Sequence, residues 1–283
     1  MTTQTPTEHA RTSAVSRTVP LRGGLLGAVG RRRLVVLAGR SLIFLGVLGG
    51  WQIASATDDS VRLALSDPQS VAGWIVSWLR GDEPSGIGAL GHTLWAALVG
   101  GLLGVAAGIV LAVVITPLDK IRGLFTPLVT VLNAVPKIAL APLFVFLFGL
   151  GLTASVYYIA AAVVFIEYFG VSAGIRSVNP LLTQHVRLLG GGRWALAREV
   201  YLPTIVSWLF AGLRLCVTWA ITSAVVIEYL GSTSGLGYVI ASAQQISDVA
   251  AVIGGLIVVS AVAVVIDQVV VAVDRRALSW RDA

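Results

Sequence analysis

Long apolar runs alternate with short polar joints along this chain. Residues 41–57, 91–116, 138–166, 204–230 and 249–273 hold few or no charges. About 20 apolar residues carry a helix across the hydrocarbon core of a bilayer. The runs predict transmembrane helices at 35–57, 88–116, 125–149, 153–174, 204–229 and 248–273. The fold class is therefore an all-α polytopic membrane protein with about six transmembrane helices.

Two spans carry further information. In the third, "TPLVTVLNAVPKIALAP", Pro127, Pro136 and Pro142 each lack an amide donor and predict kinks. Broken backbone at membrane depth is tolerated where protein or a water-filled cavity covers it. In the second, Gly100, Gly104 and Gly108 recur every four residues on one face. That spacing lets a neighbouring helix approach closely, either within one subunit or at a dimer seam. Between the first two spans, "SVAGWIVSWLR" predicts a short amphipathic helix lying at the membrane interface.

Composition agrees with a lipid solvent. The 283 residues are 56% hydrophobic and 12% charged, against about 25% charged in a soluble domain. The net charge of +6 comes without an aromatic-interleaved basic face or zinc-ligand spacing, so nucleic acid is excluded as a partner. Cys216 is the only cysteine, which removes disulfide frameworks and Cys-based metal sites. His9, His92 and His185 lie far apart, and no metal site is predicted.

Residues 1–34 read as a disordered tail without hydrophobic period, 35–274 as one membrane domain, and 275–283 as a second tail. "GRRRLVVLAGR" resembles the start of a signal peptide but lacks a small-residue cleavage site, so an uncleaved anchor is expected. With the N-terminus inside, nearly all Lys and Arg fall in the inner segments 1–40, 117–124, 175–203 and 274–283. The outer segments hold only Arg62 and Arg80, beside Asp58, Asp59, Asp67, Asp82 and Glu83. The positive-inside rule then places 175–203 in the cytoplasm of a multi-pass protein of the cell membrane.

Lys137, Glu167 and Arg214 fall inside spans. A charge at the centre of a membrane helix costs on the order of 3 kcal/mol, so each needs water or a partner. Two readings follow: the three line a translocation pathway, or Glu167 pairs with Lys137 or Arg214 to hold helices together. Two cations against one carboxylate would favour an anionic solute. Glu228 and Asp267 lie nearer span ends and are expected at the interface.

The stretch "LLGGGRWALAREVYLP", Leu188 to Pro203, interrupts the apolar runs with three glycines, Trp194 and two arginines. It resembles the signature cytoplasmic loop of ABC importer permeases: a glycine, nine residues, an aliphatic, any residue, then Leu-Pro. Gly190, Val200, Leu202 and Pro203 occupy those positions, and Arg193 and Trp194 match an Arg-Trp common after the glycine. The usual Glu-Ala-Ala start is replaced by Gln184, His185 and Val186. "AVPKIALAPLFVFLFGLG", "GIRSVNPLL" and "SGLGYVI" resemble the branch importing nitrate, sulfonates, taurine, bicarbonate or pyrimidine precursors, over Leu90 to Arg276.

The resemblance implies a type I ABC importer permease fold and a homodimer. It also implies two cytoplasmic ABC ATPase subunits and an extracytoplasmic solute-binding protein. Arg187, Gly190, Arg193, Trp194, Arg198, Leu202 and Pro203 would then couple the permease to its ATPase; the bland reading is a basic segment resting on lipid headgroups. No G-x-x-x-x-G-K-[ST] occurs, so no cofactor is expected on this chain, and ATP and Mg belong to the partner. Two rivals remain. An intramembrane serine protease around Ser234 lacks the first glycine of its motif and a histidine in the sixth span. An ATPase-independent secondary carrier or channel would explain the charges in spans, but not the glycine-turn loop, and no paired repeats are found.

Overall fold

The computed structural model describes residues 23–82 and 86–277, with side chains from Val35 onward except at three positions near the C-terminus. It divides into two compact units, Met1–Ile53 and Ala54–Ala283. Helix α1 (Gly23–Thr57) begins earlier than the expected span, so residues 23–34 of the expected tail are helical, and 1–22 lie outside the described residues. Its apolar side chains, among them Leu42, Phe44 and Val47, are exposed along its length, as suits a helix solvated by lipid.

The second unit is a helical bundle, with no strand among the described residues. Two short helices come first, α2 (Asp59–Leu65) and α3 (Pro68–Arg80), each N-capped by an aspartate side chain, Asp58 and Asp67. The long helix α4 (Gly86–Ile115) follows, then α5 (Asp119–Ala134), α6 (Lys137–Phe148) and α7 (Leu152–Arg176). A helical turn region, Pro180–Tyr201, leads into α10 (Leu202–Gly231). The chain closes with α11 (Leu236–Gln245) and α12 (Val249–Ala277).

The α4–α7 contact organises the bundle. A Cβ on Gly100 would lie 2.8 Å from Val156 O, one on Gly104 2.7 Å from Ala160 O, and one on Gly108 2.6 Å from Val164 O. Only glycine admits backbone that close. The glycine face thus packs within one subunit. The order of the contacts also shows that α4 and α7 run in the same direction. Further along, Ala112 and Ile115 share a buried cluster with Tyr168, Val171 and Ile175.

Parallel α4 and α7 require the chain between them to return across the bundle. The helices α5 and α6 make that return, meeting at 91°. Pro136 causes the break: it donates no amide and drives Val135 out of helical geometry, to φ −63° and ψ 129°. Pro127 and Pro142 sit inside their helices without breaking them. Arms of about 24 and 18 Å at a right angle join points about 30 Å apart, a hydrocarbon thickness. The predicted third span is therefore one crossing made by two helices, and the chain has six candidate crossings.

Helix α10 runs antiparallel to α7, with Trp208 against Gly174 and Gly212 against Glu167. Helix α12 runs antiparallel to α10, with Asp267 opposite Arg214. At the other end α3, expected flat on the membrane, packs into the bundle: Trp78 is buried with Ala89, Leu236, Val239 and Val258, and Trp74 lies against Gly254.

Gly104→Val would force α4 and α7 apart and should destabilise the protein by about 1–3 kcal/mol or more. Gly91→Ala, where a Cβ meets nothing within 4 Å, should be neutral or stabilising. Thermal unfolding of the purified variants in detergent checks both.

Candidate functional site

The turn between α7 and α10 is built by local rules. Asn179 caps α8 (Pro180–Leu188) by accepting the Leu181 amide at 2.9 Å, and Pro180 occupies its first turn. The helix stops because Gly190 takes φ +80°, and Gly191 N–H bonds Val186 O at 2.8 Å. A Cβ on Gly191 would lie 2.7 Å from that same oxygen. Helix α9 (Arg193–Leu196) and one π turn (Ala197–Tyr201) then run into α10 without a break.

Leu196 and Val200 are buried, which fixes the turn to the bundle. The opposite face is apolar and bare: Leu188 is 84% exposed, Leu189 88% and Trp194 78%. Around it, Arg187, Arg193 and Arg198 are exposed. Trp194, Ala197, Arg198 and Leu202 line a cleft beside it. The seven residues singled out in the sequence thus lie on one projecting turn, and Leu202 and Pro203 open α10 itself.

Within the spans, the charged residues separate. Lys137 caps the break between α5 and α6, where Nζ donates to Asn133 Oδ1 at 3.1 Å. Arg214 forms a bidentate pair with Asp267, Nε to Oδ1 at 2.8 Å and Nη2 to Oδ2 at 2.9 Å. Glu167 is fully buried where α4, α7 and α10 meet. It accepts a hydrogen bond from Cys216 Sγ at 3.3 Å, and its Oε1 has no partner among the described residues. The expected pairing of Glu167 with Lys137 or Arg214 is replaced by these three separate arrangements. The cause is packing: at Gly108 and Gly212 the backbones of α4 and α10 close over Glu167 and leave no room for a long cation.

Glu228 and Asp267 were expected near span ends. Glu228 lies three residues before the end of α10, and there it is buried, 1% exposed. Its carboxylate accepts the Thr93 hydroxyl at 2.8 Å and the Gly237 amide at 3.1 Å, and lies 3.1 Å from His92 Nδ1. Thr93 Oγ1 also accepts the Leu236 amide at 2.8 Å. This knot ties α4, α10 and the start of α11. Gly235, at φ +103°, is required there because a side chain would fall on the Glu228 carboxylate. Nothing in the sequence marked His92 and Thr93 as distant partners of Glu228. Asp267, likewise expected near a span end, lies six residues before the end of the candidate span Val249–Val273 and is Arg214's partner.

The chain is thus a bundle of apolar helices long enough to cross a membrane, with an exposed Arg/Trp turn at one end. The chain belongs to the family described as binding-protein-dependent transport system inner membrane component, matched over residues 104–279. It is similar to a putative aliphatic sulfonates transport permease protein, SsuC, of Bacillus subtilis, with 29% identity over 84% of this chain and 83% of that one. It is also similar to the taurine transport system permease protein TauC of Escherichia coli, with 26% identity over 68% and 73%. The fold matches a subunit of the inward-facing MetNI methionine ABC transporter at TM-score 0.59 and 16% identity, covering 67% of this chain and 94% of that one. The protein is an ABC importer permease subunit of a multi-pass membrane family.

Thr93→Val removes one donor and one acceptor from the buried knot and should cost about 2 kcal/mol. Thr93→Ser should retain most of the stability. Thermal unfolding, with proteolysis of the 232–236 segment as a local probe, checks the difference.

Proposed function

We propose that the chain is the membrane half of an ATP-driven importer for a small anionic solute, working by alternating access as a homodimer. The turn at Leu188–Arg198 docks an ABC ATPase in the cytoplasm, and a solute-binding protein delivers solute at the opposite end, near residues 232–248. The N-terminus is then cytoplasmic, as the distribution of Lys and Arg along the chain requires. No catalytic step falls to this chain: ATP and Mg act on the partner subunit.

The observation that carries this reading is the exposure of Leu188, Leu189 and Trp194 on a turn that also exposes Arg187, Arg193 and Arg198. Large exposed apolar patches mark interaction sites, and Trp and Arg are common interface anchors. A lipid surface is a poorer fit, because the patch projects from the turn that continues into α10. The sulfonate and taurine systems of the two relatives support a solute bearing an oxyanion.

Arg193→Ala with Trp194→Ala should weaken ATPase association at least tenfold while leaving the permease folded, since both side chains are exposed. Co-purification from native membranes in mild detergent, followed by mass spectrometry, measures it. Undiminished ATPase binding and uptake in the double variant would sink the docking assignment. Transport by purified permease alone would instead favour an ATPase-independent carrier.

A further inference from the structure

The Arg214–Asp267 pair is bonded as well as an ion pair can be, yet it is not covered. The Arg214 side chain is 57% exposed and that of Asp267 27%. Arg214 stands twelve residues into α10, about 18 Å along it, and Asp267 about 15 Å from the far end of α12. The candidate span of α12 ends at Val273, about 9 Å beyond Asp267, so the pair lies within the apolar length of both helices, on the half toward the projecting turn. Intramembrane charges belong against protein or water, not hydrocarbon. A pair this exposed at this depth identifies its face of α10 as a wet one.

That face continues as a polar stripe. Thr218 and Thr222 follow Arg214 at one-turn intervals, both exposed, and Tyr229 lies further out on the same side. The threonine hydroxyls donate to the carbonyls four residues back, Arg214 O at 3.1 Å and Thr218 O at 2.9 Å. Those bonds keep the hydroxyls satisfied on an otherwise apolar helix, and rotation of the side chain frees them for a passing solute.

We propose that Arg214 is a transient binding station for the oxyanion of the transported solute, and that Asp267 occupies its guanidinium whenever the station is empty. The proposal rests on the importer reading above. The planar fork of Arg214 fits a sulfonate or carboxylate as it fits Asp267. Exchange of one oxyanion for another leaves the arginine paired before and after the solute passes. Asp267, partly exposed, is solvated while displaced. Competition from Asp267 also sets the affinity: a pathway must bind its solute strongly enough to admit it and weakly enough to release it. An arginine without a competitor would hold an anion too long.

Thiol labelling tests the proposal on the permease–ATPase complex in proteoliposomes. Thr218→Cys places a thiol one turn from Arg214, and the native Cys216 is buried and serves as the blank. The probes are sulfonatoethyl methanethiosulfonate and its trimethylammonioethyl counterpart. Thr218→Cys should react faster than Val110→Cys, an exposed apolar position of α4, and should prefer the anionic reagent. Adding Asp267→Asn should raise the anionic-to-cationic rate ratio on the order of tenfold. Adding Arg214→Gln together with Asp267→Asn, which removes both charges of the pair, should bring the ratio near unity. Reactivity no greater than at Val110→Cys, or a ratio indifferent to Asp267, would overturn the proposal and leave the pair a helix brace. ATPase co-purification reports separately on the importer reading, so the two can fail independently.

Discussion

The rest of the bundle depends on the close approach of α4 and α7. Lipid offers no hydrophobic drive for helices to associate, so contact must come from backbones brought near enough for dense van der Waals packing. Gly100, Gly104 and Gly108 supply that approach for α7 over three successive turns. Because the two helices run in the same direction, the chain between them must recross the membrane. That demand falls on α5 and α6, where Pro136 turns what would be a long crossing helix into two short arms. Glycines thus fix the topology, and a proline fits the return path to it.

The same approach decides how polar groups survive at membrane depth. Glu167 projects into a tightly packed part of the bundle, against Gly108 and beside Gly212, where the thin Cys216 thiol reaches it. Glu228 lies where helices diverge enough to admit the start of α11, and it collects a hydroxyl, an amide and an imidazole. The two buried carboxylates are held by short neutral donors or histidine. The two cations within spans, Lys137 and Arg214, stay at the protein surface, where a long side chain reaches a polar partner without parting backbones. Packing density, not charge balance, sorts these residues.

That distinction explains what the sequence made legible. The spans, their number, the glycine face and the projecting turn follow from local patterns: apolar length, a spacing of four, and Gly-Gly-Gly beside Arg-Trp. The partners of the intramembrane charges do not. Lys137, Glu167 and Arg214 were matched by charge alone, but partners depend on which helix faces meet, and Asp267 lies 53 residues from Arg214. The burial of Glu228 was not legible either. It is near a span end in sequence, yet α3 and α11 cover that end of the bundle and bury it. The break at Pro136 was visible as a proline. Its right angle was not, because that angle depends on the parallel packing of α4 and α7.

The turn and the ion pair are linked by α10. The helix continues from α9 through a π turn and Pro203 into a 30-residue span, so the projecting surface and the membrane segment are joined without a break. Ile205 and Leu209 pack into the cluster of Tyr168, Val171 and Ile175, and Trp208 packs on Gly174, so α10 is held to α7 from its first turns. Beyond that contact Arg214 reaches across to Asp267 of α12 with more than half of its side chain exposed, whereas Glu167, beside Gly212, is wholly enclosed. One helix thus joins three different contacts: the exposed turn, the close packing on α7, and the exposed ion pair to α12.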